Sequence, residues 1–339
     1  MVGRSLVKRR ANLRDVARLA GVSVATVSRV LNTPSLVHLK TRTRVEAVIE
    51  ELGFVRNAAA RAINSGRTRI LGALIPTLDS DIFALTISAI EKRLVDLGFS
   101  LVVATTDDDL HTEARKAQEL LDNGVEGFFL TGTSHCDPLY KIIERSRVPS
   151  VAISCFDPSF RLPTIGYDNH YAATLAYEYL VSMGHQRIAV VHGSAADNDR
   201  TSSRLKAIAS LRADRLHGLY ETEFSVAGGA AAARRVLQAS QRYTALLCLS
   251  DVLAFGALHE LHREGLAVPD DMSVMGIHDL PAAKETFPRL TTVHLPVDEM
   301  GNHAAEALAR WVVENQRPDP FLINSHISKR ETVAAMASG

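Results

Sequence analysis

The chain has 339 residues, 46% of them apolar and 22% charged, with 38 basic and 38 acidic side chains. That length holds a small domain plus a body able to divide in two, and the composition excludes a disordered or fibrous chain. No apolar run reaches the roughly 18 residues a membrane-spanning helix needs.

Cys136, Cys155 and Cys248 are few and widely spaced, which predicts reduced thiols in a cytoplasmic protein instead of a disulfide framework or a metal site. The start, MVGRSLVKRRAN, lacks an apolar segment, so no secretory signal is expected. The neutral total conceals an asymmetry. Residues 1–69 carry fourteen Lys or Arg against four acids, a surplus of ten, so residues 70–339 carry a deficit of ten. A basic head on an acidic body is the footprint of a chain that meets a polyanion through one segment only.

Residues 1–11 read as a loose basic arm able to touch phosphates. Asn12 then caps a helix, and Asp15, three residues on, returns the bond to the cap backbone. Val16, Leu19 and Ala20 recur on one face, Gly21 breaks the helix, Ser23 caps a second one, and Val27, Val30 and Leu31 give it an apolar side. Two short helices joined by a tight glycine turn form either an ordinary helical hairpin or a helix-turn-helix; the charge of this segment favours the latter. Its second helix would lie in the major groove with its early residues toward base edges. Thr33-Pro34-Ser35 makes a turn, and a third helix is predicted over about 41–52, ended by Gly53.

Residues 54–69, FVRNAAARAINSGRTR, are basic and too poor in apolar surface to fold alone. They read as a hinge from Asn57 that turns helical when two copies meet over a minor groove, Ile63 serving as an apolar wedge, or as a plain linker with a few alanines.

From Ile70 the rhythm changes. Strands are predicted over 70–76, 99–105, 125–131 and 149–154, with helices over about 83–97, 113–123 and 138–145. After a change of unit at 161–168 the pattern restarts. Helices are predicted over 169–183, 201–213, 229–239 and 252–264, and strands over 186–193, 243–250 and 272–277. A crossing strand at 290–296, a long helix at 300–315 and a final strand pair within PFLINSHISKR complete the chain. Short apolar strands alternating with amphipathic helices signify parallel sheets with helices on both faces. Two such units of similar size make two lobes, with a ligand cleft beyond the carboxyl ends of their strands.

Residues at those ends are the binding candidates: Asp79 and Asp81 after the first strand, with Phe83 as an apolar wall; Asn198, Asp199, Arg200 and Arg204; Asp251; and His278 with Asp279. Two arginines among short acids suit a polyhydroxylated or anionic ligand. Asp199 and Asp251 equally fit plain helix starts, where a carboxylate is favourable without any ligand. Glycine-rich phosphate loops, a G-x-S-x-G elbow and spaced His/Glu metal patterns are absent. Neither an enzyme nor a cofactor is called for.

On DVARLAGVSVATVSRVLN (15–32), ELGFVRNAAARAI (51–63), MGHQRIAVV (183–191), VPDDMSVMGIHD (268–279), PRLTTVHLP (288–296) and KRET (329–332), the chain resembles the lactose-repressor/galactose-repressor family of bacterial transcription regulators. The resemblance implies an all-α helix-turn-helix head on a two-lobed, periplasmic-binding-protein-like α/β body. It also implies a homodimer reading a pseudo-palindromic operator, cytoplasmic and nucleoid-associated when bound, under control of a small-molecule effector. Val24, Ala25 and Arg29 match the family's base readers, and Thr26 and Ser28 match phosphate-contacting or supporting positions. Asn12, Leu13, Arg14, Ser23 and Asn32 flank that surface, and Asn57, Ala60, Arg61 and Ile63 fall in the hinge. Arg29 alone among the base readers can take a guanine bidentately.

The implied divisions are 1–56 for the head, 57–69 for the hinge and 70–339 for the body. Lobe 1 would hold 70–162 plus 293–320, and lobe 2 would hold 163–292 plus 321–335. Some positions depart from the family. Ile63 replaces a leucine wedge, Arg56 a proline, Asp81-Ile82 an asparagine-proline pair, and His278 the aspartate that grips a sugar hydroxyl. Sugar, sugar acid and small carboxylate effectors all stay open. So do a body that has lost its ligand and, less readily, a two-lobed solute-binding protein.

Overall fold

A computed structural model describes residues 11–54, 66–196, 198–211 and 216–336, apart from the side chains of Asn32, Leu216 and His217. It divides into two units, 1–68 and 69–339. The N-terminal arm and the hinge residues Asn57, Ala60, Arg61 and Ile63 lie outside the described residues.

The first unit holds three helices, α1 (Leu13–Leu19), α2 (Val24–Asn32) and α3 (Leu39–Glu51). The Asn12 side chain accepts from the Arg14 and Asp15 amides at 2.9 and 3.2 Å, and the Asp15 carboxylate accepts from the Asn12 amide at 3.0 Å. This closes the reciprocal cap that the sequence pattern predicts. Gly21 supplies the left-handed turn (φ +60°), and Ser23 Oγ accepts from the Thr26 amide at 3.1 Å to start α2. Val16, Ala17, Ala20, Val27, Val30, Val45 and Val48 form the core, with Leu13, Leu31, Ile49 and Leu52 packed around it. Leu19, expected on the inner face, is 52% exposed. The third helix starts two residues before the predicted Thr41, since His38 serves as its cap.

The second unit contains two six-stranded sheets. Lobe 1 is built from β1 (Ile70–Ile75), α4 (Asp81–Asp96), β2 (Ser100–Thr105), α5 (Leu110–Asp122), β3 (Phe128–Thr131), α6 (Asp137–Ser146), β4 (Ser150–Ile153) and β5 (Thr164–Gly166). Lobe 2 follows with α7 (Asn169–Ser182), β6 (Arg187–His192), α8 (Asp199–Ser210), β7 (Leu216–Glu221), α9 (Val226–Gln238), β8 (Ala245–Cys248), α10 (Asp251–Arg263), β9 (Ser273–His278) and β10 (Thr291–His294). The chain ends in α11 (Val297–Glu314), β11 (Phe321–Leu322) and β12 (His326–Ser328).

The sheet orders are β11-β5-β4-β3-β1-β2 and β12-β10-β9-β8-β6-β7, and every pairing is parallel except β10 with β12. Strand order reverses direction at β1/β3 and at β6/β8, which places a crevice beyond the carboxyl end of each pair. The inner strands are buried on both faces, which is why they read as unbroken apolar runs.

Sheet membership corrects three details of the sequence reading. Residues 164–166 and 321–322 join the first sheet and 293–294 the second, so the chain crosses between lobes after Gly166, His294 and Leu322. The last two strands are no pair: β11 adds to β5 and β12 to β10. Strands of two and three residues carry too little apolar periodicity to mark a boundary. Strand β7 went unread because its run, LHGLYE, mixes polar groups and a glycine at a sheet edge.

Candidate functional site

On α2 the inward positions 27 and 30 are buried in the head core, while Val24 (42% exposed), Ala25 and Arg29 face outward. Ser23 and Thr26 bond through their hydroxyls at 2.9 Å, fixing the helix start. Arg14 is exposed, and Asn12 and Leu13 are engaged in the cap and the core edge. Ser28 is half-buried. The result is an exposed strip along α2, with apolar Val24 and Ala25 at its amino end and one guanidinium, Arg29, in its last turn, the form of surface that enters a DNA groove.

In the second unit the candidate residues gather where the carboxyl ends of the two sheets face each other. Asn198 caps α8 by accepting from the Thr201 amide at 3.0 Å, which orients the next turn toward lobe 1. Asp199 then reaches across, its Oδ2 accepting from the Thr133 amide at 2.7 Å and the Thr133 hydroxyl at 2.9 Å. Arg200 donates to Asp199 at 2.9 Å, pairs with Asp108 of lobe 1 at 3.4 Å, and lies 6.0 Å from the Phe83 ring. Gly132 stands under this latch with φ +81°, and a Cβ there would collide with both Asp199 and Arg200. Asp79 and Asp81 stand exposed on the lobe 1 rim, and neither joins the latch.

One turn further along α8, Arg204 is only 4% exposed. Its Nε donates to Asn169 Oδ1 at 3.0 Å and its Nη1 to the Leu249 carbonyl at 2.7 Å and His278 Nε2 at 3.2 Å. Since Nε2 accepts from a guanidinium, the His278 proton sits on Nδ1, facing the Ser250 hydroxyl at 3.3 Å. Burial, and then the Arg204 and Arg200 charges, push His278 well below the usual imidazole range, so it is neutral. Burial also draws the Arg204 guanidinium down to about 10.

Asp251 and Asp279 are committed to the fold. Asp251 is fully buried and accepts from the Leu280 amide at 2.8 Å and the Thr292 hydroxyl at 2.5 Å. Burial pushes its carboxyl up to about 7 against those two bonds. Asp279 accepts from His294 at 3.0 Å, Ser328 at 2.8 Å and Arg330 at 2.5 Å. Burial raises its carboxyl, but those bonds outweigh it and hold the group well below the usual range.

Of the sequence-predicted residues the structure brings together Asp199, Arg200, Arg204 and His278, and it adds Thr133, Gly132, Asp108, Asn169 and Ser250, which the sequence reading does not name. Gly132-Thr133-Ser134 follows β3 at the switch point, and that position was the available signal. An open depression of about 480 Å³ adjoins the latch, lined by Thr133, Ser134, His170, Asn198, Ser202 and Lys206. Among the described residues no three His, Cys, Asp or Glu side chains group to hold a metal ion, and no helix is long and apolar enough to cross a membrane.

Two family models match the chain: bacterial regulatory proteins of the lacI family over residues 12–57, and the periplasmic binding protein-like domain over residues 177–333. The ribose operon repressor of Escherichia coli K12 is 32% identical over 90% of this chain and 94% of its own length. The HTH-type transcriptional repressor PurR of Escherichia coli O1:K1 is 30% identical over 96% and 97%. A crystal structure of the lac repressor dimer bound to operator and the anti-inducer ONPF superposes with a TM-score of 0.85 at 26% identity, covering 96% of this chain and all of that one. A recognition helix with a bare outward strip, two lobes closing on a buried arginine, and relatives matched nearly end to end converge on one conclusion: the chain belongs to the lacI family of bacterial regulatory proteins and is a DNA-binding repressor.

Proposed function

We infer that this repressor binds a pseudo-palindromic operator as a homodimer, and that a small polar effector seated between the lobes sets its operator affinity. The head at 1–56 reads the DNA through Val24, Ala25 and Arg29, with Thr26, Ser28, Asn12, Leu13, Arg14, Ser23 and Asn32 on the backbone side. The hinge at 57–69 pairs in the minor groove through Asn57, Ala60, Arg61 and Ile63. In the body at 70–339, Asp79, Asp81, Phe83, Asn198, Arg200, Arg204 and His278 surround the effector, with Asp251 and Asp279 bracing them. The candidate effectors are sugars, sugar acids and small carboxylates. The relatives named for ribose control and for operator and anti-inducer binding support this reading.

The observation that carries it is the latch. Asp199 and Thr133 join the lips of two separate sheets through two hydrogen bonds, a contact weak enough to open and specific enough to define a closed state. A ligand that prefers one closure shifts the balance of states, and a linked DNA site must respond.

A gel-shift titration of the full chain tests the DNA half. Affinity for a two-fold-symmetric duplex is expected to exceed that for random DNA and to fall steeply between about 50 and 200 mM salt. Equal affinity for both duplexes, or indifference to salt, rejects it. The effector half is tested by repeating the titration with each candidate class. No change in operator affinity with any of them rejects that half.

A further inference from the structure

The two arginines of the cleft differ in one respect. Arg200 is neutralised from within, since Asp199 and Asp108 both contact its guanidinium. Arg204 is more deeply buried, yet its acceptors are an amide oxygen, a backbone carbonyl and an imidazole nitrogen, all uncharged. No carboxylate pairs with it among the described residues, and its second terminal nitrogen, Nη2, donates to none of them. The nearby acids are engaged elsewhere, Asp251 with Thr292 and Leu280, and Asp279 with Arg330, His294 and Ser328. A buried guanidinium without a counter-charge is unfavourable unless an anion completes it.

Resting on the cleft as the effector site, we propose that the effector is a hydroxylated monocarboxylate, its carboxylate seated on Arg204 Nη2. One uncompensated positive charge matches one negative charge. A phosphate monoester brings about −1.5 to −2 at pH 7, which would leave a buried excess, and one free terminal nitrogen offers two N–H groups to its three oxygens. His278 sets this selectivity: being neutral, it leaves the arginine's charge to the ligand, where a carboxylate at the same position would cancel it. Hydroxyl recognition falls to the uncharged polar groups beside the seat, Asn169 and Ser250.

The test uses the full-length protein in thermal-shift and calorimetric titrations with two matched pairs, galacturonate against galactose and gluconate against sorbitol, with galactose 6-phosphate as the phosphorylated arm. At least one acid is expected to raise the melting temperature by several degrees and to bind at least tenfold more tightly than its neutral mate and than the phosphate. His278→Asp supplies the missing counter-charge and is expected to erase that preference while the melt stays cooperative. Arg204→Gln should erase it as well, giving a second route if either variant folds poorly. A neutral sugar or the phosphate binding as well as the acids, no response to either acid, or an acid preference that survives in His278→Asp overturns the proposal. Gel shifts on the same samples separate it from the broader reading. Operator affinity answering to a neutral sugar keeps effector control and removes the acid, whereas acid binding without any change on operator does the reverse.

Discussion

The head and the body place their polar chemistry on opposite sides of the solvent boundary. On α2 the side chains read as base contacts, Val24, Ala25 and Arg29, are exposed, and the fold stands on a separate set of seven small apolar residues. In the body, Arg204, Asp251 and His278 are all buried, and Asp251 and Asp279 also bond the strand ends together. Base reading and stability are thus separable in the head, while in the body the two kinds of contact are entangled. A substitution on the outward face of α2 therefore leaves the head core in place, whereas one at Asp251 or Asp279 also breaks bonds between strand ends.

The sharpest way to break this contrast is Asp279→Asn. It leaves Arg330 without its carboxylate in a site where Asp279 is 7% and Arg330 13% exposed in their side chains. The loss should be about 3–5 kcal/mol of stability, read by urea unfolding, and a change under 1 kcal/mol would show that the body's carboxylates are not structural. Arg29→Ala is its counterpart in the head. It should remove about 1–3 kcal/mol of operator discrimination with no shift in the melt, so a destabilised head would contradict the separation.

Gly132→Ala comes next, at about 1–3 kcal/mol from the left-handed backbone. It should also part the Thr133–Asp199 lips, visible as a larger radius of gyration in solution scattering. Ser23→Ala removes one cap bond and should cost about 1 kcal/mol. That loss should appear in the head alone, detected by amide exchange.

The finest test is a slope. Folded Asp251 keeps its proton up to about pH 7, while its ordinary value is 3.8. Between those values the folded state binds more protons than the unfolded one, so this group makes stability decline as pH rises through that window. The difference curve between the native protein and Asp251→Asn should show that decline, and a flat difference from pH 4 to 7 would remove Asp251 from the account.

What could be read in advance follows the distance between partners. Asn12 and Asp15 are three residues apart, and their reciprocal cap was legible before any coordinates, as was the Ser23 cap. The inner strands were legible because burial on both faces leaves no alternation to misread. The latch was not, because Thr133 and Asp199 are 66 positions apart and neither residue type is unusual at a helix start or a strand end. Asp279 follows the end of β9 as its sequence position predicts, but its partners lie 15, 49 and 51 positions away. A local pattern cannot distinguish a carboxylate waiting for a sugar from one already tied to an arginine.

Three strands of backbone bridge the lobes, after Gly166, His294 and Leu322. A single tether would let the halves swivel in any direction, whereas three separate crossings restrict sliding and torsion between them. The chain leaves the first lobe toward the head at Arg69, directly before β1, a strand paired on both sides, with β3 and with the edge strand β2. The Arg69 carbonyl also accepts from the Ser100 amide of β2 at 2.9 Å, so residue 69 is held to the sheet and travels with the lobe when the lobe tilts.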